Sequence, residues 1–266
     1  MVSNTSIMFL IISLIISVGL PLGLVAYFYK KYKISIKCVF IGVLIFIIFS
    51  QILEKALHYF VLTKNPHTIA LLKNSWLFMI YGGLAAGIFE EVGRYIGFKF
   101  LLKGQREWKD GVAYGIGHGG IEAILIGGVA SIQNIVYSNL INSGTFEKVL
   151  SAKLPVSMLA SIKNSLENTP SYMFGFIGIE RMLVLPLHIA LSLVVLYGIK
   201  KGKKIYLLYA IIIHAIIDFP AALYQAGKIK SIFLIEGVVL VVAIISLIFI
   251  IKSKGLFDKT SSEKVY

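Results

Sequence analysis

Charged side chains are scarce in this sequence, at 15% of its 266 residues, whereas 58% are hydrophobic. That balance excludes an ordinary water-soluble domain and has the profile of a polytopic membrane protein. A single cysteine, Cys38, excludes an intramolecular disulfide. The first six residues carry no basic side chain, and the apolar run behind them is too long for the core of a signal peptide, so that run reads as a retained helix. No second domain, low-complexity tract or strong internal repeat is visible. A single transmembrane helical domain is expected over residues 1–252, with a polar cytoplasmic tail at 253–266.

What the sequence does have is apolar runs long enough to cross a bilayer, which takes about 20 residues. Seven stand out, at 7–29, 37–60, 75–102, 111–136, 172–198, 205–226 and 232–251, the first with a bend expected at Pro21. The fold class is therefore all-α, a bundle of about seven transmembrane helices. The net charge of +13 is not a nucleic-acid signal, because the lysines gather at alternate helix ends. Lys30, Lys31, Lys33 and Lys37 follow the first helix, Lys99, Lys103, Arg106 and Lys109 the third, Lys200, Lys201, Lys203 and Lys204 the fifth, and Lys252, Lys254, Lys259 and Lys264 the seventh. The positive-inside rule makes those ends cytoplasmic, so the N-terminus is expected outside and the C-terminus inside. The basic charge then faces anionic lipid headgroups, and the bilayer of a bacterial cell membrane is the expected setting. The long external connection, about residues 137–171, holds a short amphipathic stretch between Pro155 and Pro170 and reads as an ordered loop.

Against this apolar background, ionisable residues inside the helices stand out. Glu90, Glu91 and Arg94 lie in the third helix, His118 and Glu122 in the fourth, Glu180, Arg181 and His188 in the fifth, and His214 and Asp218 in the sixth. A central Arg or Asp costs about 2.5–3.5 kcal/mol on insertion scales, so these groups must face one another or water. On the expected topology, Glu90, Glu91, Arg94, His118, His188 and His214 all fall about 12–18 Å from the cytoplasmic ends at about 1.5 Å per residue. Four helices thus bring polar groups to one level, as a shared cytoplasm-side cavity requires. Glu180 and Arg181 lie nearer the outer face, where pairing or snorkelling accounts for them.

Spacing adds detail. Glu90 and Glu91 stand four and three residues before Arg94, within reach of its guanidinium. GVAYGIGHGGIEA puts His118 and Glu122 at i,i+4 on one face, and HAIID does the same for His214 and Asp218. Gly111, Gly115 and Gly119 form a small-residue stripe, as do Gly83 and Gly87; such stripes either let helices approach closely or clear space for a substrate.

In this order, a Glu-Glu pair followed by Arg94, the aromatic Tyr114 four residues before His118, and His214 with a polar residue four on resemble the motifs of the CPBP intramembrane proteases. That superfamily includes the CAAX prenyl endopeptidases and bacteriocin-processing proteins. FEEVGRY with GHGGIEA is closer still to the related YhfC-like membrane peptidases. The resemblance covers about residues 75–226, with two departures: only Val92 and Gly93 separate Glu91 from Arg94 where the superfamily has three residues, and Asp218 stands where it has Asn.

The resemblance implies an endopeptidase acting on membrane-embedded or hydrophobic peptides. Glu90 with His118 would hold and deprotonate a water, Glu91 and Arg94 would orient that centre, and His214 with Asp218 would stabilise the oxyanion or the leaving group. Glu122 and His188 are supporting residues. There is no HExxH, and the CAAX branch favours a metal-independent glutamate mechanism. Zinc held by His118, His188 and His214 is the alternative, in keeping with the metalloprotease label often given to YhfC-like proteins. The rival readings are a proton- or metal-coupled transporter, since intramembrane His, Glu and Asp also build ion pathways, and an inactive membrane scaffold. The confinement of the polar residues to one half of the helices favours the protease, because a transporter needs a polar path to both faces.

Overall fold

A computed structural model describes residues 1–262, with side chains through Asp258. Helix follows helix along the chain, and among the described residues there is no β-strand. The long apolar segments become α1 (Asn4–Tyr32), α2 (Ile36–Lys64), α5 (Trp108–Asn142), α8 (Met173–Lys201), α9 (Ile205–Gln225) and α10 (Ile232–Ser262). These six are long and apolar enough to cross a membrane. The remaining expected span is α4 (Ser75–Ile96), which Gly97–Leu101 continues as a wider, π-type turn. It has the length but not the apolarity of the others, because Glu90, Glu91 and Arg94 are concentrated in its C-terminal half. Asn74 starts this helix by accepting hydrogen bonds from the backbone of Trp76 and Leu77, which satisfies two amide groups that have no partner within the helix.

Shorter helices connect the spans: α3 (Pro66–Leu71), α6 (Phe146–Leu150) and α7 (Val156–Asn168). Between α8 and α9 the turn needs a left-handed residue, and Gly202 supplies it at φ +69°. Pro21 lies inside α1, which remains helical through it. The polar tail expected from 253 onward carries on the helix of α10 as far as Ser262; Lys264 lies outside the described residues.

The chain divides into two compact units. One comprises Met1–Gly23 and Glu122–Met182. Its core is built from Val2, Leu10, Ile141, Phe146, Leu150, Leu159, Leu166 and Phe174, so most of the 137–171 connection is folded on apolar side chains of its own. Leu159 and Leu166 are the buried face of the amphipathic stretch expected between the two prolines. The same unit pairs Arg181 with Glu122 at 2.5 Å and with Glu180 at 2.6 Å. Pairing, one of the two explanations expected for Glu180 and Arg181, is the one found.

The other unit comprises Leu24–Ile121 and the chain from Leu183 onward, and its helix crossings are close because glycines sit at them. A Cβ on Gly115 would lie 2.5 Å from the Cα of Ile189, and one on Gly119 would lie 3.0 Å from the Cβ of His188. The stripe of α5 therefore serves to pack α5 on α8. Gly83 and Gly87 bring α4 against α9 in the same way, where a Cβ would meet the carbonyl oxygens of Ala215 and Ile211 at 2.5 and 2.7 Å. Gly42 of α2 seats that helix against the backbone of Tyr114 and His118. At Gly42, Gly83, Gly87 and Gly115 a Cβ would meet backbone, so no bulkier residue fits there without moving it. The crossings hold segments of α2, α4, α5, α8 and α9 together around one cluster of ionisable side chains.

Candidate active site

The cluster is built from the second unit alone. Glu90, Glu91 and Arg94 come from α4, His118 from α5, His188 from α8 and His214 from α9, and all six are buried. Glu91, Arg94 and His118 have no exposed surface at all. The sequence placed these same six residues at one depth, and the structure brings them together.

Two overlapping networks organise them. In the first, Nη1 of Arg94 donates to both carboxylate oxygens of Glu91 at 2.8 and 2.9 Å, and Nδ1 of His214 lies 2.8 Å from Oε1 of Glu91. Glu91 is therefore held from two sides. In the second, Oε2 of Glu90 lies 2.9 Å from Nε2 of His118, 3.8 Å from Nδ1 of His188 and 4.0 Å from Nε2 of His214. Arg94 joins the two, since its Nη2 is 3.3 Å from Nδ1 of His188. A guanidinium only donates, so that imidazole nitrogen presents its lone pair to Arg94 here, and a metal bound at the same nitrogen would have to take this hydrogen bond's place. Aromatic rings close the surroundings: Phe46 meets the His118 ring edge-on with centroids 5.1 Å apart, and Tyr114 stacks on it at 6.0 Å.

Ligand atoms of Glu90, His118 and His188 all lie within 4.8 Å of one another. Zinc with nitrogen and carboxylate ligands at about 2.0–2.2 Å in tetrahedral geometry sets ligand atoms about 3.4 Å apart. The observed separations of 2.9 and 3.8 Å from Glu90 to the two imidazoles bracket that value. Two buried carboxylates face one buried guanidinium and three buried imidazoles, so the second carboxylate is balanced either by a protonated imidazole or by a bound cation. Two atoms in the cluster, Nε of Arg94 and the hydroxyl of Tyr114, are buried without a hydrogen-bond partner, as polar groups near a ligand site often are.

Two expected supporting residues have other surroundings. Glu122, one turn after His118, is engaged by Arg181. Asp218 approaches Nε2 of His214 at 3.6 Å, but its side chain is 38% exposed. The firmer hold on that imidazole comes from Glu91. Asp218→Asn is accordingly expected to lower activity about ten-fold or less, at the weak end of what an outer partner of a metal site costs. A loss of 10²-fold or more in the rate of substrate cleavage would return Asp218 to the centre of the mechanism.

One polar group escaped the sequence reading. In α2, Glu54 is buried and pairs with His58 at 3.3 Å, and Nδ1 of His58 lies 2.7 Å from the hydroxyl of Tyr81 in α4. The signal was present, since Glu54 and His58 stand at the same i,i+4 spacing that drew attention to His118 and His214.

Residues 16–239 match the family described as YhfC intramembrane metalloprotease. The chain belongs to that family. It is also 44% identical over 258 residues to the uncharacterized membrane protein YhfC of Bacillus subtilis (strain 168), covering 97% of this chain and 100% of the relative. No solved structure matches the chain. The match agrees with the expected YhfC likeness and with an integral protein of a bacterial cell membrane. It supports a membrane protease in general terms and takes support from the metal-independent mechanism favoured from sequence, because both the family's description and the buried Glu-His-His cluster fit a metal. The group with atoms close enough to hold a metal is Glu90, His118 and His188, whereas His214, a candidate in the sequence, lies against Glu91.

Proposed function

We propose that the chain is a zinc-dependent intramembrane endopeptidase that cleaves hydrophobic, membrane-embedded peptides, with Glu90, His118 and His188 as the metal ligands. The observation that carries this reading is the convergence of three buried ligand atoms within 4.8 Å. A bound zinc ion would polarise the scissile carbonyl and make water nucleophilic near neutral pH.

The protein's own groups then divide the remaining work. Glu91 faces Nδ1 of His214 at 2.8 Å, and by accepting a hydrogen bond there it would leave Nε2 as the position that gains and loses a proton. That nitrogen is 4.0 Å from Glu90, close enough to the ligand cluster to take a proton from the attacking water and return it to the leaving amine. Arg94 holds Glu91 in place and keeps its charge compensated. Burial of the cluster excludes bulk water, which strengthens each of these electrostatic contacts.

The test uses membranes containing the intact protein. Newly formed peptide N-termini would be identified by terminal labelling and mass spectrometry, with the His118→Ala protein as the blank. Chelation is expected to remove about one zinc per chain and abolish the His118-dependent cleavages, and added zinc should restore them, since a tetrahedral site of this kind holds one ion. Cleavages that continue at full rate after the metal is gone would defeat the proposal and revive a glutamate mechanism.

A further inference from the structure

Away from the active site, lysine and aromatic side chains from four helix ends line a pocket of about 300 Å³. Tyr32 comes from the end of α1, Trp108 and Lys109 from the start of α5, Lys200 from the end of α8, and Lys254 from the last turns of α10. The acids Glu107 and Asp258 also border it. Lys109 is paired with Glu107 at 2.9 Å, so Lys200 and Lys254 against Asp258 leave the pocket with one net positive charge. Both of these lysines lie over aromatic rings: the ammonium of Lys254 is 5.7 Å from the centre of Tyr32 and 6.0 Å from that of Trp108, and the ammonium of Lys200 is 5.4 Å from the Phe257 ring while donating to the Phe257 backbone oxygen at 2.8 Å. The indole of Trp108 is fixed in turn by donating to Ile250 O and Ser253 Oγ, each at 3.1 Å.

Phe257 is shared with a second pocket of about 380 Å³ whose character is different. Its walls are almost wholly apolar, with Tyr206 and Tyr209 near the start of α9 and Leu193, Ile213 and Phe249 further along their helices. From Tyr206 to Ile213, and from Phe257 back to Phe249, the walls extend about 10–12 Å along the spans. A basic, aromatic head space at the helix ends thus adjoins an apolar groove that runs inward along them.

We infer that the two pockets together form a binding site for an anionic phospholipid, the phosphate lying near Lys200 and Lys254 and an acyl chain in the groove beyond Phe257. Charge complementarity selects the occupant. A zwitterionic lipid gains little from the net positive head space, and a free anion makes no use of the groove. The lysines belong to the clusters that the positive-inside rule places at the cytoplasmic surface, where anionic lipids attract basic residues. The site is separate from the metal cluster and does not depend on proteolysis.

Native mass spectrometry of the detergent-purified protein tests this. Dioleoyl phosphatidylglycerol is expected to bind about ten-fold or more tightly than dioleoyl phosphatidylcholine, given the attraction of two lysines near the headgroup. In the Lys200→Gln/Lys254→Gln protein that preference should fall to about two-fold or less, whereas Lys148→Gln/Lys153→Gln should keep it. Equal binding of the two lipids by the unaltered protein, or a preference that survives the Lys200/Lys254 change, would overturn the proposal. Full competition by inorganic phosphate would also overturn it, by showing a free-anion site. If the double variant does not fold, quenching decides. In Trp76→Phe protein, which retains Trp108 as its one tryptophan, phosphatidylglycerol brominated on its acyl chains should quench fluorescence more than the matching phosphatidylcholine, and equal quenching counts against the site.

Discussion

His188→Ala protein is expected to lose its zinc and its proteolytic activity together while remaining folded. His188 is the informative choice because its Nδ1 lies 3.3 Å from Arg94 and 3.8 Å from Glu90, and its one lone pair can serve the guanidinium or a metal but not both. An outer-sphere partner of a metal site is worth about 10–100-fold when removed. Removal of a ligand should exceed that, so activity is expected to fall by more than about 100-fold, with metal content dropping from one ion per chain to near none. A second variant separates ligation from structure. In His188→Gln protein the side-chain carbonyl can still accept the hydrogen bond from Arg94 but is a poor zinc ligand. If His188 only completes a buried hydrogen-bond network, the glutamine protein should keep zinc and most activity. If His188 is a ligand, it should behave like the alanine protein, with metal analysis and cleavage assays as the two readouts. Zinc retained at full stoichiometry in both variants would remove His188 from the ligand set.

The sequence offered His188 as a candidate zinc ligand, but its contacts with Arg94 and Glu90 were not readable there. Spacing within a helix says which side chains share a face, and so Glu90 and Glu91 could both be read as within reach of Arg94, but that Glu91 takes the guanidinium is visible only in the structure. Spacing does not say which neighbour that face meets. The glycines at 111, 115 and 119 announce a close crossing, but only the fold shows that the partner is α8 and that the Cβ of His188 is what Gly119 makes room for. Depth along the helices was the stronger signal, because insertion energetics force polar groups of a membrane protein to meet at a common level. Glu122 shows where local spacing misleads. It stands one turn from His118, yet its carboxylate is bound by Arg181, which is 59 residues away in the sequence. Six of the seven expected runs are helices long and apolar enough to cross a bilayer, and they were legible because crossing demands length and apolarity, both properties of composition. The amphipathic stretch after Pro155 was legible, but the folding of residues 146–168 onto Leu10 and Phe174 was not, since it depends on contacts between distant segments.

The largest effect on stability is expected from Arg94→Met. Arg94 is fully buried, and its Nη1 supplies both oxygens of an equally buried Glu91. Methionine fills much of the volume of the arginine stem but leaves the carboxylate facing only His214. Breaking a buried pair by removing one partner costs about 3–5 kcal/mol, because the remaining charge is left without compensation. Unfolding of the purified protein in detergent, followed by a mixed-detergent titration, would measure this. The double change Glu91→Gln/Arg94→Met supplies the control. It removes both charges at once and should recover a substantial part of the loss, since a buried ion pair replaced by neutral groups is often close to neutral in stability. Activity is not expected to recover with it. Glutamine at 91 carries no negative charge to favour the protonated Nδ1 of His214, so the imidazole loses its preference for the tautomer that leaves Nε2 free. A double-change protein that is both stable and fully active would show that Glu91 and Arg94 only hold the helices together. An Arg94→Met protein as stable as the original would show that Glu91 is uncharged in its site, and the charge balance that makes room for a cation would have to be drawn again.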